Sequence, residues 1–285
     1  MKLSLNTYLY ECARVPIHQA LPSVKKFGFS LVDFAGINSG DPTLMNAEQR
    51  NEIVSLMNDL GLKVSQFQLA NTQQLASSDA SLRTKGMDYM KRCADFVKEL
   101  GGKQMLVWWG CGVLEFAIPR EQSWMHAVNS MKEFCSWCEP EGLIVELELE
   151  PHNFSFLNST AMMVKMVEDV NTSNIYSNVD IGHMSINREG PIAIEKFGRR
   201  ILHAHISETD SFDHTNSIIG TGNVDYPAYI KKLFEVGIEE NCKKLGVPCA
   251  AGIEMGEKVG GVDDPERWIK LSLEYINKTL PELEL

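Results

Sequence analysis

GLIVELELEPHNF, residues 142–154, alternates aliphatic and acidic side chains and then meets a proline. A period of two is that of a β-strand, so Val145, Leu147 and Leu149 share one face and Glu146, Glu148 and Glu150 the other. The aliphatic face asks for helices packed against it, and the acidic face for an interior lined with partners, because an ionised carboxylate away from water is costly unless hydrogen-bonded. Runs of the same length recur on both sides: KLSLNTY (2–8), SLVDFAG (30–36), LKVSQFQ (62–68), KQMLVWW (103–109), IYSNVD (175–180), ILHAHIS (201–207) and PCAAGIEM (248–255). Helix-length segments lie between them, among them 46–61, 81–101 and 159–170. Ser159 or Thr160 stands where an N-cap belongs, and Gly61 and Gly101 follow helix ends. Eight βα units without a linker or low-complexity segment give an α/β fold, one (β/α)8 TIM barrel spanning residues 1–285 as a single domain. A doubly wound open sheet is the alternative, but no GxGxxG follows the first strand.

The 285 residues are 44% hydrophobic, enough for one large core. Net charge is −11, from 38 acidic and 27 basic residues, a field that repels nucleic acid and anionic membrane surfaces. The N-terminus has no secretory pattern and no apolar run reaches the ~20 residues of a membrane span, so a cytoplasmic protein is expected. The 7 cysteines fit reduced thiols. Cys135 and Cys138 form a CxxC within a helical stretch and are read as buried structural thiols, since a closed zinc site needs ~4 ligands.

In a barrel of this kind the chemistry lies at the C-terminal ends of the strands. The fifth strand ends in Glu150 and the sixth in Asp180, the seventh carries His205 and the eighth Glu254. Four consecutive strands thus bring three carboxylates and an imidazole to one rim, a donor set for one divalent ion: Mn²⁺ first, with Mg²⁺, Co²⁺ or Zn²⁺ as alternatives. Asn178, His203 and Glu148 fall two residues before these groups and form a second polar layer beneath them. Trp109 closes the fourth strand and is expected to line the pocket.

ELEPHNF around Glu150, NVDIGHM around Asp180, HAHISE around His205, GTGNVDY at 220–226 and GIEMGE around Glu254 resemble the xylose isomerase-like barrels, which include ketose 3-epimerases and inosose dehydratase-like proteins. The resemblance covers essentially the whole chain. It implies that Glu150, Asp180, His205 and Glu254 are the metal ligands, that Glu150 and Glu254 also exchange protons with the substrate, and that His183 of DIGH binds substrate beside the metal. A carboxylate of pKa ~4 is too weak a base for an unactivated C–H, so the ion must stabilise the enediolate left by proton removal. The epimerases carry a further Glu and an Arg that hold the end of the substrate; Phe156 and Ser211 occupy those positions here, and His152 is available at the mouth instead. The expected activity is therefore isomerisation or epimerisation of a keto sugar or related polyol ketone, with a lyase on the same scaffold as the alternative. The expected partner is a small sugar-like molecule, and barrels of this family often pair into homo-oligomers. A repair phosphodiesterase of the endonuclease IV class would need histidines at the third and fourth strand ends, where Gln66, Gln68 and Trp109 stand.

Overall fold

A computed structural model describes residues 1–285 except 109–111, 113, 114, 116, 211 and 257–260. Eight parallel strands close into a barrel in sequence order: β1 (Lys2–Asn6), β2 (Leu31–Gly36), β3 (Lys63–Leu69), β4 (Gln104–Val107), β5 (Ile144–Leu147), β6 (Ile175–Asp180), β7 (Ile201–Ser207) and β8 (Ala250–Glu254), with β8 hydrogen-bonded to β1. Around them run α1 (Tyr8–Cys12), α2 (Ile17–Lys26), α3 (Ala47–Leu60), α4 (Ala80–Glu99), α5 (Arg120–Cys138), α6 (Thr160–Val170), α7 (Ile181–Ile186), α8 (Tyr226–Glu235), α9 (Ile238–Leu245) and α10 (Pro265–Thr279). None of the described helices is long and apolar enough to cross a membrane.

Local chemistry sets the helix ends. Asn46 and Gln49 cap each other's backbone at the start of α3, and Gly61 ends it at φ 63°. Ser159 accepts from the Met162 N–H at the start of α6, and Asn171 closes that helix in the left-handed region. Leu147 and Leu149 join Val145 in the apolar layer between sheet and helices, as do Cys135 and Cys138 of α5, both free thiols.

β5 is shorter than the sequence pattern predicts. Its ladder ends at Leu147, whereas alternation continues to Glu150. Pro151 follows, and the Glu150 N–H bonds the Leu157 carbonyl instead of a neighbouring strand. Glu150 thus stands at the base of the loop that leaves the barrel, one layer above Glu148.

Candidate metal centre

The polar groups at the barrel mouth come from β6, β7, β8 and the segment after β5. Asp180 ends β6 and caps α7, its Oδ1 accepting from the His183 backbone N–H (2.8 Å) and the Ser207 hydroxyl (2.5 Å). Gly182 permits this closeness, because a Cβ there would lie 2.3 Å from Ser207 Oγ. Oδ2 of Asp180 is buried with no hydrogen-bond partner among the described residues. His205 of β7 sets its Nδ1 2.7 Å from Glu148 Oε1, 2.7 Å from Glu254 Oε2 and 3.8 Å from Asp180 Oδ2. Glu254 Oε2, though near, has no hydrogen bond of good geometry among the described residues.

One ring N–H can serve only one of these oxygens. Three carboxylates and one imidazole, with donor atoms all within 4.8 Å of one another, concentrate more negative charge in a buried place than a proton offsets. The donor set fits a divalent ion. Burial raises the pKa of Glu148 and of Asp180, the latter pushed further by Glu254. Burial would raise Glu254 as well, but His205 brings it below the ordinary value. His205 itself, against the effect of burial, is held well above its ordinary value by Glu148 and Glu254.

Of the side chains expected to bind the ion, Asp180, His205 and Glu254 fall in this cluster; its fourth member is Glu148, and Glu150 lies outside it. The early end of β5 is the reason, since it turns Glu150 into a loop residue. Glu150 is nevertheless only 3% exposed. It and Glu254 both act on the phenol of Tyr8, whose pKa rises chiefly through burial, then through Cys12 and these two acids.

Three imidazoles meet above the cluster. His183 Nδ1 bonds the Leu149 carbonyl, which can only accept, so Nδ1 carries the proton and Nε2 is the acceptor. That Nε2 meets Nε2 of His214, which must therefore donate. The rings of His183 and His214 lie 4.5 Å apart, and His152, 5.6 Å from His214, stacks on Phe154 at 5.1 Å and 6°. Burial holds both His183 and His214 down to about 4 and lowers His152.

His214, in the loop after β7, is a site residue that was not among those expected from the sequence. Its loop is anchored by Glu208, just past β7, which accepts from the Thr209 N–H (3.1 Å) and the Gly220 N–H (2.6 Å). A Cβ at Gly222 would lie 2.2 Å from the Thr209 carbonyl and 2.5 Å from Glu208 Oε1. The GTGNV stretch is therefore spelled by the close approach of its backbone to a buried carboxylate.

Beneath lies the second polar layer. Asn178 donates to Glu148 Oε1 (2.5 Å) and lies 3.0 Å from His205 Nδ1. His203 bonds Asp33 across the barrel (2.9 Å), and Asp33 also accepts from Ser4 and Ser65, so protons already satisfy it. Gly252 makes room, since a Cβ there would lie 1.7 Å from Asp33 Oδ2. Phe156 does not face the site: its ring is wholly buried, edge-on to Trp124 of α5 with centroids 6.1 Å apart. Trp109 and Ser211 lie outside the described residues.

Fold and site together define a TIM-barrel enzyme with an acidic, histidine-bearing centre at the C-terminal strand ends. The chain belongs to the xylose isomerase-like TIM barrel family, whose profile matches residues 21–279. It is similar to L-ribulose 3-epimerase of Mesorhizobium japonicum, 22% identical over 246 residues, 84% of this chain and 79% of that one. It is also similar to fructoselysine 3-epimerase of Escherichia coli O157:H7, 22% identical over 208 residues, 72% and 71% of the two chains. Among solved structures, the IOLI protein with a bound zinc atom shares the fold at TM-score 0.80 and 17% identity over 99% of both chains. The chain is thus an enzyme of the sugar isomerase and epimerase type.

Proposed function

We propose that this enzyme epimerises or isomerises a ketose or substituted keto sugar with a divalent ion, Mn²⁺ foremost, held by Glu150, Asp180, His205 and Glu254. The carrying observation is the convergence of His205 Nδ1 with Glu254 Oε2 at 2.7 Å and Asp180 Oδ2 at 3.8 Å in a buried place. Glu148, also 2.7 Å from Nδ1, is the rival for the fourth position; Glu150 is assigned to it because it is buried one layer higher and shares with Glu254 its action on Tyr8. When bound, the ion supplies the positive charge that makes a proton next to a ketone removable by a carboxylate. Glu150 and Glu254 are the carboxylates assigned to remove and return that proton, because they come from the segment after β5 and from the end of β8, with β6 and β7 between those strands. His183 keeps an acceptor nitrogen toward the mouth, suited to a substrate hydroxyl that displaces His214.

The two relatives are named as 3-epimerases, of a free ketose and of a ketose carrying an amine substituent. With Phe156 withdrawn into the core, the charged contact expected of a standard ketohexose epimerase is missing at that position. The stacked His152 and Phe154, the latter 45% exposed, offer an aromatic ledge instead, which favours a ring or a substituent at that end. The decisive experiment incubates the Mn²⁺-loaded enzyme with ketoses, inososes and oxidised glycosides in D2O and follows mass. A deuterated epimer or isomer supports the reading, loss of water from the substrate would make it a lyase, and absence of exchange with every compound would refute both.

A further inference from the structure

Gln66 of β3 is fully buried inside the barrel. Its Nε2 donates to Glu146 Oε2 at 2.5 Å, and its Oε1 lies 3.0 Å from His205 Nε2. An amide has one end of each kind. With the nitrogen turned to a carboxylate, the carbonyl oxygen is left for the histidine, and a carbonyl oxygen only accepts. His205 Nε2 must therefore carry a proton. Asp33 Oδ2, 3.8 Å away on the same side, favours the same arrangement. Without an ion the carboxylates around Nδ1 hold a proton there as well; with Nε2–H kept in place by Gln66, the proton that His205 would give up on binding an ion is the one on Nδ1, the nitrogen that faces Glu254, Glu148 and Asp180.

We propose that Gln66, oriented by Glu146, is a positioning residue that fixes the tautomer of His205 so that Nδ1 is the nitrogen offered to the ion. The inference rests on the metal-centre reading above. It also accounts for Glu146, an acid one layer below the cluster with no part in proton transfer, since this carboxylate decides which end of the Gln66 amide meets the histidine. Outer hydrogen-bond partners of a ligating histidine typically govern metal affinity about 10- to 100-fold.

The test measures Zn²⁺ and Mn²⁺ dissociation constants by chelator competition for the full chain and three variants. Gln66→Met keeps the volume and loses the acceptor, and is expected to bind about 10- to 100-fold more weakly. Gln66→Glu combined with Glu146→Gln exchanges donor and acceptor across the 66–146 hydrogen bond, keeps an acceptor facing Nε2 and is expected to recover most of that loss. Glu146→Gln removes the fixed acceptor for the amide and is expected to weaken binding in the same direction by a smaller factor; it carries the test should Gln66→Met fail to fold. In the zinc-loaded wild type, ¹⁵N-edited spectra should show His205 Nε2–H in slow exchange, and this protection should fall in Gln66→Met. Wild-type affinity and unchanged Nε2–H protection in folded Gln66→Met overturn the inference while the metal reading stands. Equal weakness of the Gln66→Glu/Glu146→Gln exchange and Gln66→Met also overturns it, by showing that packing and not an acceptor is needed. A wild type that binds neither ion at His205 overturns the metal reading, and this inference with it.

Discussion

Glu254 is asked to be both ligand and proton carrier, and an amide of the same size separates those roles. Glu254→Gln is expected to fold and to lose turnover by ~10²–10⁴-fold or more, the range in which removal of a general acid or base falls; near-normal kcat in that variant would place the base elsewhere. Glu148 and Glu150 compete for one position in the ligand set. Held by Glu150, the ion should bind more weakly in Glu150→Gln than in Glu148→Gln; the opposite order in a Mn²⁺ titration would set it one layer lower. The imidazole pair makes a prediction about pH. His183 and His214 have folded-state pKa values of about 4 against an ordinary 6.5. The unfolded chain binds more protons than the folded one between those values, so their contribution to stability is complete above pH 6.5 and is lost as pH falls toward 4. The loss is at most roughly 3 kcal/mol for each imidazole. His214→Gln keeps a donor for His183 but removes one titration, so its stability deficit against wild type, measured by urea unfolding in EDTA, should shrink as pH falls from 7.5 to 4.5. Parallel curves would mean that His214 is not buried neutral.

At the scale of elements, the parts legible in the sequence are those whose cause is local. Period two in 143–149 gave the faces of β5, and the caps at Ser159, Gly61 and Gly101 marked helix ends, because alternation and capping need only near neighbours. The end of β5 was not legible: it depends on the Glu150 N–H finding Leu157, a loop contact without a periodic signal. His214 was hidden for the same reason, as nothing near it in sequence announces His183. Its loop does carry one readable sign, the glycine pair, whose cause is the buried Glu208. Gly222→Ala therefore tests how that loop is held. With the Thr209 carbonyl 2.2 Å from the added carbon, backbone must move. We expect a cost of about 1–3 kcal/mol in stability and, as the loop shifts, a raised KM through His214. Unchanged thermal unfolding and unchanged KM would show that the loop yields freely.

The whole barrel enters through the ion. The proposed ligands lie on strands far apart in sequence that become neighbours only when β5 to β8 are assembled, so the unfolded chain has no such site and binding energy becomes folding energy. Burying the carboxylates together without the ion opposes folding, in a chain that already carries a net charge of −11. Mn²⁺ at a hundredfold excess over its dissociation constant should stabilise the fold by about 2.7 kcal/mol, which in a chain of this length raises Tm by roughly 5 °C. EDTA should return Tm to its lower value. Asp180→Asn is the control, because an amide oxygen can still cap α7 through Oδ1 while a ligand charge is lost. This variant should start near the metal-free wild type and gain much less on adding Mn²⁺. A wild type whose Tm does not respond to Mn²⁺, Co²⁺ or Zn²⁺, or an Asp180→Asn variant that responds as fully, would show that β5 to β8 are not joined through an ion at this place.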